Sequence, residues 1–313
     1  MRPFRFGYQV RADNPEQFRR EVQEAERAGF DVICTYDHLG QCLSALEPLA
    51  FAAAWTERVR LCPLVLNNDF HHPGLLAQRL ATLDRLSGGR LEVGIGAGHA
   101  FPEYEAAGIA FDPPALRKVR LADSVEILRR LLDGERVDHH CEHYDLTGLA
   151  TITPAQDHVP ILVGVSGRAA LAHAARTADI IGLTMLGKTL PDGNAHAVRW
   201  EPERLDATVS FIAESAGERA GERAGTLELN ALVQAVVVTD DRRSAAEKIA
   251  AEVPGLEVDH ALSTPFLALG THNQIAEHLL ACRERWGISY YVVRDIEAFA
   301  PVIDALRHED RLS

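Results

Sequence analysis

Short apolar runs recur along the chain, each followed by a helical stretch with an apolar stripe, and this alternation restricts the fold more than any single motif does. Phe4 to Val10 reads as a strand, and Asn14-Pro15-Glu16 opens a helix with Asn14 as N-cap and proline at the first helical position. Its stripe includes Phe18, Val22, Ala25 and Ala28, and Gly29 closes it. Asp31 to Thr35 is then a short buried strand and Leu43 to Thr56 a helix. The pattern continues with strands at Arg60 to Leu66, Arg90 to Ile95, Pro160 to Val165 and Ile180 to Thr184. Helices fall between them at Pro73 to Leu86, Pro114 to Leu132 and Arg168 to Thr177, and the segments Leu227 to Val238 and Ser289 to Val293 complete eight strands.

Strands alternating with helices pair in parallel, and eight of them in one chain predict an α/β fold of the closed (β/α)8, or TIM-barrel, kind. A doubly wound open sheet is the competing arrangement. No Pro- or Gly-rich linker divides the chain, so residues 1–313 are expected to form one domain. The polar, glycine-containing segment Gly187 to Arg199 follows the sixth strand at the barrel's C-terminal face, where an insertion can act as a lid. The tandem Ala216-Gly-Glu-Arg, Ala220-Gly-Glu-Arg, Ala224-Gly reads as a solvated surface turn.

A formal net charge of −13 argues against nucleic acid or an anionic membrane surface as a partner, since both would repel the chain. Small-molecule substrates remain. The N-terminal residues lack an apolar run of signal-peptide length, and no stretch reaches a membrane span, so a cytoplasmic location is expected. The five cysteines form no Cys-x-x-Cys pair, which suits reduced thiols.

Four stretches carry candidate chemistry. Asp37 and His38 lie just past the second strand, at the rim where barrel enzymes place catalytic groups; His38 can exchange a proton near neutral pH, or Asp37 can simply cap a turn beside a packed histidine. Gly94-Ile-Gly-Ala-Gly-His99 follows the fourth strand and offers backbone without Cβ bulk where a flat ring could approach. A dinucleotide fingerprint belongs in the first strand-to-helix turn and should open a helix, whereas here Pro102 and a second glycine turn follow, so the Rossmann reading is rejected. Gly164-Val-Ser-Gly167 ends a strand directly before a helix, which suits a phosphate or an ordinary N-cap by Ser166. Asp138-His-His-Cys-Glu-His143 contains metal-ligand types, but successive side chains on an extended segment alternate faces and no matching cluster lies nearby in sequence, so no metal is expected. Cys34 and Cys62 sit in apolar strands without a neighbouring histidine, which leaves little support for a cysteine nucleophile.

These segments resemble the bacterial luciferase-like monooxygenase superfamily, in its branch that uses the deazaflavin coenzyme F420. The resemblance rests on Ala25-Glu-Arg-Ala-Gly-Phe-Asp to Tyr36-Asp-His38, Leu64-Val-Leu-Asn-Asn-Asp-Phe-His-His-Pro73, and Ala81 to Gly98. It continues through Glu103 to Ile109, Pro160 to Gly167, Ala178-Asp179, and Leu269 to Val293. It implies a luciferase-like barrel with the cofactor ring over the strand ends, lined by Asp37, His38, Ala97 and Gly98. It also implies a backbone bulge with a non-prolyl cis peptide around Pro63-Leu64, a phosphate turn at Gly164, Val165, Ser166 and Gly167, and a polar contact at Thr184. Where sugar-phosphate dehydrogenases of the branch carry a glutamate after the fourth-strand glycines, this chain has His99, which puts their acid and their substrate in doubt. The expected activity is hydride transfer between F420 and a small organic substrate, with His38 or His99 handling the proton. FMN with oxygen as a monooxygenase is the alternative, a non-catalytic flavin-binding protein is a third reading, and a homodimer is the expected assembly.

Overall fold

The computed structural model describes residues 1–217 and 227–312. Most of the Ala-Gly-Glu-Arg tandem, residues 218–226, therefore lies outside the described residues. Eight parallel strands form the barrel: β1 (Arg5–Gln9), β2 (Val32–Thr35), β3 (Arg60–Pro63), β4 (Val93–Gly96), β5 (Ile161–Val165), β6 (Ile180–Leu183), β7 (Glu228–Leu232) and β8 (Ile288–Val293). Their order runs β3, β2, β1, β8, β7, β6, β5, β4. A parallel bridge between Leu61 and Leu91 joins β3 to β4 and closes the ring, as the strand–helix alternation predicts.

The strands read as continuous apolar runs because helices cover them outside and side chains fill them inside. Val32, Cys34, Cys62, Leu64, Leu162, Ile180, Tyr290 and Val292 pack together in the interior. At the N-terminal end an ion-pair network seals the barrel. Arg5 Nη1 donates to Glu228 Oε2 at 2.8 Å, Arg60 Nε donates to Glu92 Oε1 at 2.6 Å, and Arg5 also pairs with Glu92. Glu92 is 1% exposed in its side chain, so the network is a buried support rather than a surface decoration.

Three expectations need correction. The apolar run Arg60 to Leu66 is two pieces: β3 stops at Pro63, the Leu64-Val65 peptide is cis, and Leu66–Asn67 resumes pairing with β4. Leu227 to Val238 also divides: Ala235–Val238 leaves the barrel to pair with Leu267–Gly270. The stretch after Gly98 is not a plain turn, since Pro102 sits in the first turn of a helix, Phe101–Ala107.

Candidate active site

The floor of the barrel mouth is built by the bulge after β3. A Cβ placed on Gly94 would stand 2.1 Å from the Pro63 carbonyl oxygen, and one on Gly96 would stand 2.9 Å from Val65 Cγ2. The glycines of β4 thus first make room for the bulge, and Val65 rather than the glycines presents a side chain there. Gly164 of β5 lies on its other side, where a Cβ would be 3.5 Å from Val65 Cγ1. The cis bond falls one residue later than the resemblance implies, between Leu64 and Val65. Leu64 is fastened on both sides: its N–H donates to Thr35 O at 2.7 Å, and its carbonyl accepts from Gln9 Nε2 at 3.2 Å.

The rim above this floor holds the titratable groups. His38 Nδ1 donates to Glu103 Oε1 at 2.6 Å, and Glu103 Oε2 accepts from the Leu39 N–H at 3.2 Å. A carboxylate can only accept, so Nδ1 carries the proton in this contact and Nε2 is the ring nitrogen left for a substrate. The His99 ring stands 5.6 Å from His38 and 5.3 Å from His196, centroid to centroid. Burial, reinforced by His38 and then His196, pushes His99 down to about 4, so it is neutral at neutral pH. Asp37 reaches the rim as expected but directs Oδ2 to protein partners, the Asn67 N–H at 2.9 Å and His71 Nε2 at 2.8 Å. It therefore ties the second rim loop to the third.

Ala97 and Gly98 are held from behind by Arg117, a buried residue whose Nη1 donates to the Ala97 carbonyl at 3.1 Å and also to that of Gly98. Gly98 has φ +72°, and a Cβ there would lie 2.0 Å from the Tyr104 hydroxyl oxygen, so no other residue fits without displacing that ring. Gly187 to Arg199 does form an insertion over the mouth, a hairpin of Leu186–Thr189 and His196–Val198. Its Gly193 carbonyl accepts from the Phe101 N–H at 3.1 Å, which pins the tip across the rim and brings His196 to His99. The His196 Nε2 is buried and has no hydrogen-bond partner among the described residues.

Beside the floor, a cavity of about 350 Å³ is lined by Val165, Ser166, Gly167, Thr184, Arg199 and Arg204 among others. Gly167 caps the helix Arg168–Thr177 with φ +89°, which leaves the first N–H groups of that helix unpaired at the cavity. Lys118 lies close by, its Nζ 3.3 Å from where a Gly167 Cβ would stand. Free N–H groups, a hydroxyl and three cationic side chains make this an anion seat. Sequence reasoning found the turn but missed Lys118, Arg199 and Arg204, which arrive from distant segments. Glu103, Val65 and His196 were missed as well.

Floor, rim and anion seat together define a (β/α)8 barrel with an enzyme-type site at its C-terminal face. The chain belongs to the luciferase-like monooxygenase family, whose family model matches residues 2–290. A curated relative from Nakamurella multipartita, named F420-dependent glucose-6-phosphate dehydrogenase, is 38% identical over 189 residues, which cover 56% of this chain and 55% of the relative. The chain thus spans about half the length of the curated relatives it matches. Among solved structures, the coenzyme F420-dependent tetrahydromethanopterin reductase of Methanopyrus kandleri superposes with a TM-score of 0.76 at 18% identity, covering 97% of this chain and 100% of that one. A monooxygenase from Streptomyces bottropensis superposes with a TM-score of 0.73 at 23% identity, covering 99% and 100%. At such identities the likeness shows the barrel alone.

Proposed function

We propose that the protein is a coenzyme F420-dependent oxidoreductase that moves a hydride between the deazaflavin and a small organic substrate. The observation that carries this reading is the continuity of the Val65 floor with the cation-lined turn at Gly164 to Gly167. A cofactor with a flat ring and a phosphate-bearing tail needs both surfaces side by side. The donor set fits: Ser166, the helix N-terminus, Lys118, Arg199 and Arg204 suit a phosphodiester, and Val65 with Gly164 suits a ring face. The name of the Nakamurella relative supports F420 over FMN.

The coenzyme, when bound, supplies a two-electron hydride chemistry that does not call on oxygen. The chain's own residues then hold and move a proton. Glu103 orients His38 so that Nε2 accepts a proton from a substrate alcohol, or after protonation returns one to a carbonyl. Neutral His99 is a hydrogen-bond partner rather than a charge, and its neutrality keeps the mouth from holding two imidazolium ions. The hairpin docked on Phe101 limits water at the reacting centre.

Small alcohols, ketones and imines form the substrate class we would screen, under anaerobic conditions, by the absorbance of the oxidised coenzyme. Turnover without oxygen that falls with His38→Ala supports the proposal. Turnover only with reduced FMN and oxygen would move the protein to the monooxygenase chemistry, and tight binding without turnover would make it a flavin-binding protein.

We also infer a homodimer working in the cytoplasm. Leu75 and Leu86, on one face of helix Pro73–Leu86, are 71% and 77% exposed, which an interface would cover. No helix among the described residues is long and apolar enough to cross a membrane. Light scattering checks the mass.

A further inference from the structure

Away from the mouth, a hairpin of strands Val137–His140 and Asp145–Leu149 lies along the outer side of helix Pro114–Leu132. We propose that Asp123 of this helix, with His139 and Cys141 of the hairpin, binds one zinc-type divalent cation. One donor atom from each of the three lies within 4.8 Å of the others. A tetrahedral zinc needs nitrogen, sulfur and oxygen donors about 3.5 Å apart, from bond lengths of roughly 2.0–2.3 Å. A rotation of the surface thiol closes the difference.

The sequence pattern argued against this site, and the fold reverses the argument. His139 and Cys141 are two apart on an extended segment, so they share a face, and the third ligand comes from the preceding helix rather than from a second cluster in the run. Cys141 is held in place by its own turn: Sγ accepts the Tyr144 N–H at 3.3 Å, and Cys141 N donates to Tyr144 O at 2.9 Å. Sγ stands 3.5 Å from Asp123 Oδ2, which in turn accepts from His143 Nδ1 at 2.7 Å. His139 Nδ1 stands 3.8 Å from Glu126 Oε1, too far for a hydrogen bond, so that contact leaves the ring free to turn a nitrogen to an ion.

A second observation points the same way. The Nε2 atom of His139 is buried yet has no hydrogen-bond partner among the described residues. Buried imidazole nitrogens are normally satisfied, and an unsatisfied one beside a carboxylate and a thiol calls for a ligand. Nitrogen, sulfur and oxygen donors together select zinc or cobalt over magnesium or calcium. Water completes the fourth position.

Such an ion would clamp the hairpin to the helix. Tyr144, next in the turn, accepts through its hydroxyl oxygen from Ser124 Oγ at 2.8 Å and Asn68 Nδ2 at 3.4 Å, and Asn68 adjoins the Asn67 N–H held by Asp37. The clamp thus supports the rim from behind without touching it.

Cobalt titration of the reduced, chelator-treated full-length protein is the test. One equivalent of Co²⁺ should bind with a thiolate-to-cobalt charge-transfer band in the near ultraviolet, and Zn²⁺ should displace it. Cys141→Ser should abolish the band while Cys42→Ser keeps it. His139→Ala should weaken binding at least tenfold, and His143→Ala, which only orients the carboxylate, by about 10–100-fold. Circular dichroism confirms that each surface variant is folded. Absence of saturable one-to-one binding overturns the proposal, as does an undiminished band in folded Cys141→Ser.

Discussion

Replacing His99 with glutamine should flatten the acid dependence of stability. Burial, with the neighbouring His38 and His196, holds the folded-state value near 4 against an ordinary 6.5. Below 6.5 the unfolded chain takes up a proton that the folded site refuses, so stability falls as pH drops toward 4 and then levels off. The full difference is about 3 kcal/mol, and at pH 4.5 about 2.5 kcal/mol of it is already expressed. Urea denaturation of both proteins at pH 7.5 and pH 4.5 measures it, because carboxylates that titrate in both cancel in the double difference. The native protein should lose about 2–3 kcal/mol more than His99→Gln across that interval. Equal losses would show that His99 is not held neutral, and with it the description of the mouth as a site that tolerates one imidazolium would fall.

Gly94→Ala drives a methyl into the Pro63 carbonyl, so it should cost about 1–3 kcal/mol by displacing the bulge and should weaken cofactor binding more than it lowers the melting temperature of the bare protein. Thermal shifts with and without coenzyme separate the two effects, and unchanged affinity would remove Val65 from the ring seat. His38→Ala should lower kcat by about 10²–10⁴-fold and Glu103→Gln by about tenfold, with KM little altered in either; a change confined to KM would make the pair a binding element. Lys118→Met should raise the coenzyme Kd by roughly 10–100-fold and reduce its salt sensitivity, as read by fluorescence titration at two ionic strengths. No change in either would place the phosphate elsewhere.

The barrel was legible because period and length distinguish strand from helix even where neither motif nor partner is known. Its departures were not, for particular reasons. After Arg60 the stretch to Leu66 is apolar throughout, and nothing in apolarity marks where pairing stops at Pro63; only the family resemblance suggests a bulge there. Leu227 to Val238 is likewise apolar on both sides of its break, since Ala235–Val238 finds a second partner in Leu267–Gly270. Glu103 has no motif of its own, and Pro102 before it reads as a turn, although proline in the first helical turn is the same signal that locates the helix at Pro15. Lys118, Arg199 and His196 carry no local signal, because what makes them site residues is the fold that delivers them. The glycines of β4 were found for an incomplete reason, their first neighbour being the bulge.

The most direct test of the central claim is a side-by-side fluorescence titration of the purified protein with coenzyme F420 and with FMN, each oxidised and reduced. Saturable, one-per-chain binding of F420, at least tenfold tighter than FMN and weakened by Lys118→Met, is the predicted result. Preferential binding of FMN, or of neither compound, would contradict it.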